Sequence, residues 1–220
     1  MKTRLLFPFF ILLMIPVYHL SAQEEKPMQY LLTGHNVKIA GFGAPIVEFS
    51  SVNNEFAVSV GGGGAIIFNQ VFYFGGYGEG LTTGHYLYNL ADVVNIEQPR
   101  ISFGHGGFWL GYMYRSGKAV HGAVSLKLGW GQVSLYDNTY TYDPMDYKAR
   151  DGVFVVTPQL ELELNLTTWF KLNIGAGYRL VTGLDKTYLD NQGMRVKYYN
   201  AADFSSPVGS LTFMFGYFKK

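Results

Sequence analysis

Apolar and polar residues alternate with a period of two along most of this chain, and helical periodicity is almost absent. The clearest stretch is 159–180, where Leu160, Leu162, Leu164 and Leu166 alternate with Glu161, Glu163 and Asn165. Phe170, Leu172, Ile174 and Tyr178 then alternate with Lys171, Asn173 and Arg179. A period of two sends one set to each face of a strand, so the stretch predicts a hairpin with one apolar and one charged face. With its turn at Leu166-Thr167-Thr168, Leu164 pairs with Phe170, Glu163 with Lys171 and Leu162 with Leu172. In a soluble sandwich the leucines would face a core; in a membrane barrel they face lipid and the charges face the lumen.

The same pattern predicts about eight strands in all. The first runs from about Asn36 to Ser50, with Val37, Ile39, Val47 and Phe49 on one parity and Lys38 and Glu48 on the other. The second runs from Glu55 to Phe68, the third from Val71 to Thr83, the fourth from Arg100 to Arg115 and the fifth from Ala119 to Tyr136. The hairpin supplies the sixth and seventh, and Pro207 to Phe218 the eighth. A turn at Ser116-Gly117-Lys118, with the glycine as its left-handed residue, pairs Leu110 with Val124 and Phe108 with Leu126 and sets Lys127 opposite Gly107.

Connections alternate in length. Those after strands two, four and six are two or three residues long, and those after three, five and seven are long and polar (84–99, 137–151 and 183–205). Such long loops are uncommon in compact soluble domains. Short turns at one end and long loops at the other are the asymmetry of an outer-membrane barrel, although the first connection, Ser51 to Asn54, falls on the long side and is short.

Composition strengthens the membrane reading. Only 15% of the 220 residues are charged, against 27 Gly, 17 Tyr and 17 Phe, where a soluble surface carries about a quarter to a third charged residues. A formal net charge of +1 gives no electrostatic case for nucleic acid, and the absence of Cys removes disulfides and thiolate metal sites. Lys2 and Arg4 precede an apolar run from Leu5 to Val17 and the small residues Ser21-Ala22. Residues 1–23 therefore read as a signal peptide, 24–35 as a periplasmic lead and 36–220 as the barrel. No later run of about twenty apolar residues exists, so a membrane location after export requires a closed barrel.

With these features the chain resembles the small eight-stranded outer-membrane β-barrel proteins of the OmpA-like and OmpX-like class. The most specific piece is the terminal pattern Leu211, Phe213, Phe215, Tyr217, Phe218, followed here by Lys219 and Lys220. The resemblance implies an antiparallel up-and-down transmembrane barrel in the bacterial outer membrane, in contact with its lipid, whose terminal strand is read by the barrel assembly machinery. It selects no single function, because members range from anchors and adhesins to lipid-modifying enzymes.

Parity assigns Lys38, Glu48, Lys127, Glu161, Glu163, Lys171 and Arg179 to the lumen. Turning them to lipid would cost roughly 2–4 kcal/mol for each Lys or Arg near the midplane. An eight-stranded barrel is just wide enough for side chains to fill, so the expectation is a polar plug rather than a pore.

Other candidates carry less. His105 and His121 share the inward parity but lie some eight residues apart in register, too far to share a metal. Gly61 to Gly64 lack the following Lys-Ser/Thr of a phosphate loop. Glu161 and Glu163 share a face, but a filled lumen leaves no glycosidase cleft. His85, with Asp92 and Glu97, is the nearest approach to a lipid-hydrolase cluster, and no nucleophile is evident beside it. The Tyr-, Asn- and Asp-rich stretches Tyr136–Asp143 and Tyr188–Tyr199 suit either a contact surface or an aromatic girdle. The expectation is a protein that is not an enzyme, with no cofactor and no metal, serving a structural or surface-interaction role with a possible extracellular partner at its loops. The rival readings are a barrel enzyme acting on outer-leaflet lipid and a soluble exported ligand-binding barrel.

Overall fold

The computed structural model describes residues 37–87, 98–137, 147–184, 187–189 and 192–218. The expected signal peptide and lead, Asp92, Glu97, Lys219, Lys220 and most of Tyr136–Asp143 lie outside the described residues. Seven long strands follow in order: β1 (Ile39–Val52), β2 (Glu55–Phe68), β3 (Phe72–Leu81), β4 (Pro99–Tyr114), β5 (Val120–Asp137), β6 (Tyr147–Asn165) and β7 (Phe170–Thr182). A two-stranded pair, β8 (Tyr188–Leu189) and β9 (Arg195–Val196), and a 3-10 turn at Ala201–Asp203 precede the last strand, β10 (Ser206–Gly216). β1 to β7 and β10 form one closed barrel in which every neighbouring pair is antiparallel, and β10 returns to β1.

Alternation decides which face each side chain takes. Ile39, Phe56, Ile66, Trp130, Leu160 and Leu180 are exposed on the outside, while Glu48, Lys127, Glu163 and Arg179 are buried inside. The end of the barrel where β1 starts and β10 finishes (the inner end) carries the short connections 69–71, 115–119 and 166–169; the outer end carries 82–98, 138–146 and 183–205. The first outer connection is only Asn53-Asn54, both with positive φ (52° and 62°), the geometry of a two-residue hairpin turn in which Asn is favoured.

Two predicted registers are off by two residues. β4 pairs Leu110 with Leu126, Phe108 with Leu128 and Trp109 with Lys127. The left-handed residue of that turn is Arg115 (φ 55°) rather than Gly117, and Lys118 N–H closes it onto Arg115 O at 2.9 Å. β6 pairs Leu164 with Leu172, Asn165 with Lys171 and Glu163 with Asn173. Here the turn takes in Trp169, because Thr167 Oγ1 accepts the N–H groups of both Trp169 (3.2 Å) and Phe170 (2.9 Å). A two-residue shift preserves parity, so every inward and outward assignment in these hairpins survives it. The polar stretch 137–151 is also shorter than expected: β6 begins at Tyr147 and Asp151 is buried within it.

Inside, large aromatics lie flat against neighbouring strands where glycines leave room. Phe42, Tyr73 and Trp109 meet edge to face at 5.5–5.6 Å. Tyr73 pairs across the ladder with Gly111, and its ring occupies the space a Cβ there would need. Gly78 faces outward, where a Cβ would meet nothing within 4 Å. Gly111→Val is expected to cost about 1–3 kcal/mol or more by overpacking, and Gly78→Val to stay within about 0.5 kcal/mol. Urea unfolding of both variants in lipid vesicles checks the contrast.

Candidate functional site

The lumen holds two polar groupings among its aromatic and aliphatic side chains. In the first, Arg179 of β7 places Nη1 2.8 Å from Glu48 Oε1 of β1, donates from Nε to Phe204 O (2.9 Å), and donates from Nη2 to Ser51 O (3.3 Å). Its guanidinium also lies 5.1 Å from the Phe103 ring centroid. Lys127 of β5 pairs with Glu79 of β3 and sits 5.3 Å from the ring centroid of Tyr77 and 5.9 Å from that of Trp109. The Tyr77 hydroxyl meets His105 Nδ1 at 3.0 Å.

The second grouping lies toward the inner end. Glu163 Oε2 receives His121 Nε2 at 3.0 Å and Lys171 Nζ at 3.2 Å, while His121 Nδ1 faces Lys118 O at 3.1 Å. Glu161 accepts Ser125 Oγ and, at 2.7 Å, Asn173 Nδ2. Glu48, Glu79, Glu161 and Glu163 thus each have a cation or donors, as burial of charge demands.

Of the residues assigned to the lumen by parity, Glu48, Lys127, Glu161, Glu163, Lys171 and Arg179 are buried there. Lys38 is the exception: it precedes β1, is exposed, and gives only its backbone N–H to Asn69 Oδ1 (3.1 Å). The strand starts three residues later than predicted, at Ile39, so the alternation does not reach Lys38. Glu48 meets Arg179 and Glu163 meets Lys171, the latter diagonally because of the register shift. Lys127 takes Glu79, which the sequence reading missed. The available signal was parity, since Glu79 shares the face of Tyr73 and Tyr77, but its glycine neighbours conceal the alternation. His121, Ser125 and Asn173 were legible by the same rule.

In the terminal strand, Leu211, Phe213 and Phe215 lie on β10, and Phe215 stacks on Phe170 at 5.0 Å. Tyr217 and Phe218 follow the end of the strand rather than continuing it. Phe218 N–H bonds to Thr168 O at 3.0 Å, and its ring centroid lies 4.7 Å from Lys171 Nζ. At the outer end, His85 is buried in the loop after β3, 3.1 Å from Glu55 Oε2 and 2.8 Å from Thr83 Oγ1. His105 and His121 have different partners, and among the described residues no group of three His, Asp or Glu could hold a metal ion.

No family model and no curated protein sequence matches the chain. Solved structures do. Neisserial surface protein A superposes with a TM-score of 0.53 at 8% identity, over 84% of this chain and 99% of that one. Ail, the attachment invasion locus protein of Yersinia pestis, gives 0.46 at 11% identity over 81% and 97%. A major outer membrane protein from Thermus thermophilus gives 0.46 at 9% over 80% and 99%. The first of these likenesses establishes the fold, a closed antiparallel barrel of eight strands.

Removing one partner of a buried pair strands the other charge. Arg179→Met is expected to cost about 3–5 kcal/mol, with much of the loss recovered when Glu48→Gln is added. Glu163→Lys, which sets a third basic group against Lys171 and His121, is expected to destabilise as well. Urea unfolding in vesicles measures all three.

Proposed function

We propose that the chain is an integral protein of the bacterial outer membrane, a side-chain-filled barrel that displays its long outer connections in a structural or surface-interaction role. The observation that carries this reading is the inversion of ordinary globular patterning. Large apolar side chains such as Phe56, Trp130 and Leu160 cover the outside, and the ion pairs lie within. That surface suits hydrocarbon and not water.

Aromatic and basic residues at the two ends fit headgroup levels. Arg115 lies 5.0 Å from the Tyr114 ring centroid at the inner end, and Arg100 lies 6.0 Å from that of Tyr136 at the outer end. The case for a plug rests on the packing across the lumen. Arg179 ties β7 to β1 and to Phe204, and an apolar cluster including Phe103, Val133, Leu184, Tyr199 and Phe204 fills the outer half. A rigid barrel closed in this way leaves its outer connections as the surface that meets a partner.

The purified chain in planar bilayers is expected to give no stepwise conductance; regular ion steps would overturn the plug. With no native Cys in the sequence, single substitutions report orientation. In intact cells Met194→Cys, beside β9 at the outer end, is expected to react with an impermeant maleimide, and Trp169→Cys at the inner end is not. A heat-modifiable band in the outer-membrane fraction completes the test, and a band found only in soluble periplasm would overturn the reading.

A further inference from the structure

Three side chains at the outer rim form a hydrogen-bonded chain that the lumen network does not use. Glu55 opens β2, and Thr83 and His85 lie in the connection that leaves β3. Glu55 Oε2 lies 3.1 Å from His85 Nδ1, and His85 Nε2 lies 2.8 Å from Thr83 Oγ1. The protons follow from the partners. A carboxylate only accepts, so in the neutral imidazole Nδ1 carries the ring hydrogen and Nε2 presents its lone pair. The Thr83 hydroxyl then donates to Nε2. An acid on Nδ1 and a hydroxyl on Nε2 is the polarity in which an imidazole acts as a general base toward a nucleophile.

The surroundings hold the threonine and the imidazole, while the Glu55 side chain reaches them from a largely exposed position. Thr82 N–H bonds to Val58 O at 2.9 Å, and Val58 N–H donates to Thr83 Oγ1 at 3.2 Å, which fixes the hydroxyl against β2. On the far side of the imidazole, Ile101 N–H bonds to His85 O at 2.8 Å, so the His85 backbone is pinned to β4. His85 is buried while Thr83 is half-exposed, which leaves the hydroxyl approachable and shields the base. The next backbone N–H, that of exposed Gly84, bonds to no acceptor among the described residues. A free N–H directly after a nucleophile is a suitable donor to a developing oxyanion.

We infer that Thr83, His85 and Glu55 form an acyl-transfer site at the outer end of the barrel, acting on carboxylic esters. The reading goes beyond the surface role proposed above and does not depend on it. It also departs from the expectation of no catalysis, which rested on His85 lacking a hydroxyl partner; the fold supplies one in Thr83. Thr83 Oγ1 attacks the ester carbonyl carbon as its proton passes to His85 Nε2, and the Gly84 N–H faces the carbonyl oxygen as it becomes an oxyanion. Collapse breaks the bond to the alcohol, which leaves with the proton from Nε2. Water, activated by the same nitrogen, then releases the acid and restores the hydroxyl. Thr83 and His85 are the catalytic residues. Glu55 is a positioning residue, holding the tautomer.

The ester comes from the medium or from outer-leaflet lipid, whose depth here is marked by the outward pair Phe49 and Phe56, stacked at 6.3 Å. The full chain, refolded in detergent or in phosphatidylethanolamine vesicles, is treated with a fluorophosphonate, and the modified peptide is mapped by mass spectrometry. Label is expected on Thr83, retained on the hydroxyl in Thr83→Ser, and lost at least tenfold in His85→Ala. Hydrolysis of p-nitrophenyl butyrate would assign the soluble source, and fatty acid released from the vesicles would assign the lipid. Glu55→Gln is expected to lower the rate tenfold or more and to displace the acidic limb of its pH profile, where the base becomes protonated, with Glu55→Asp restoring part of both. A heat-modifiable band certifies that each variant is folded. If His85→Ala fails that check, Thr83→Val decides, and labelling that persists in it overturns the site. An unlabelled Thr83 in the folded wild type overturns it as well, leaving the three residues as a structural latch.

Discussion

Hydrocarbon offers an N–H or a C=O no partner, so every strand in it must be flanked on both sides. The architecture follows from that constraint. Seven of the eight ladders join strands that are neighbours along the chain or separated only by the β8–β9 excursion, and the eighth joins the first strand to the last. The pairing of Val47 with Leu211 and of Glu48 with Ser210 removes the two edges that an open sheet would expose. Closure then dictates the rest: one face must be apolar for lipid, the other must fill a narrow tube, and glycines must thin the wall where Tyr73 and Trp109 lie flat.

Filling that tube raises the opposite difficulty, because charges inside it are cut off from water. The chain meets this with mixed neighbours rather than isolated pairs. Lys127 has a carboxylate and two aromatic faces, Arg179 a carboxylate and two carbonyls, and Glu163 both His121 and Lys171. Such groupings confer little net stability over an apolar filling, but they penalise mispairing, since a displaced strand leaves a charge alone. Two-sidedness of this kind suits a barrel whose ladders tolerate slips that keep parity.

Parity was the part of the fold most legible in the chain. It depends only on alternation, and 159–180 alternates almost without a break. Register was less legible because it depends on where a turn begins. Nothing in Leu166-Thr167-Thr168-Trp169 announces that the Thr167 hydroxyl accepts two backbone N–H groups and draws Trp169 into the turn. The missing glycine signal at Arg115 misplaced the other hairpin for the same reason. At the rim, His85 was visible as a candidate, but one of its two side-chain partners lies far from it in sequence. Glu55 lies thirty residues before it, and only the pairing of β2 with β3 brings the two together.

Arg179 also bears on the order in which the barrel assembles. Local hairpins form early because their loops are short, while contacts between distant residues wait for long stretches of chain to be ordered. Its partner Glu48 is 131 residues away, and its three polar contacts reach β1 and the segment entering β10, the two elements that meet at the seam. The bond to Phe204 needs only β7 and the chain beside it, whereas the two bonds to β1 complete the set across the seam, so a guanidinium inside the tube acts as the clasp of a bracelet, fully engaged only in the closed ring.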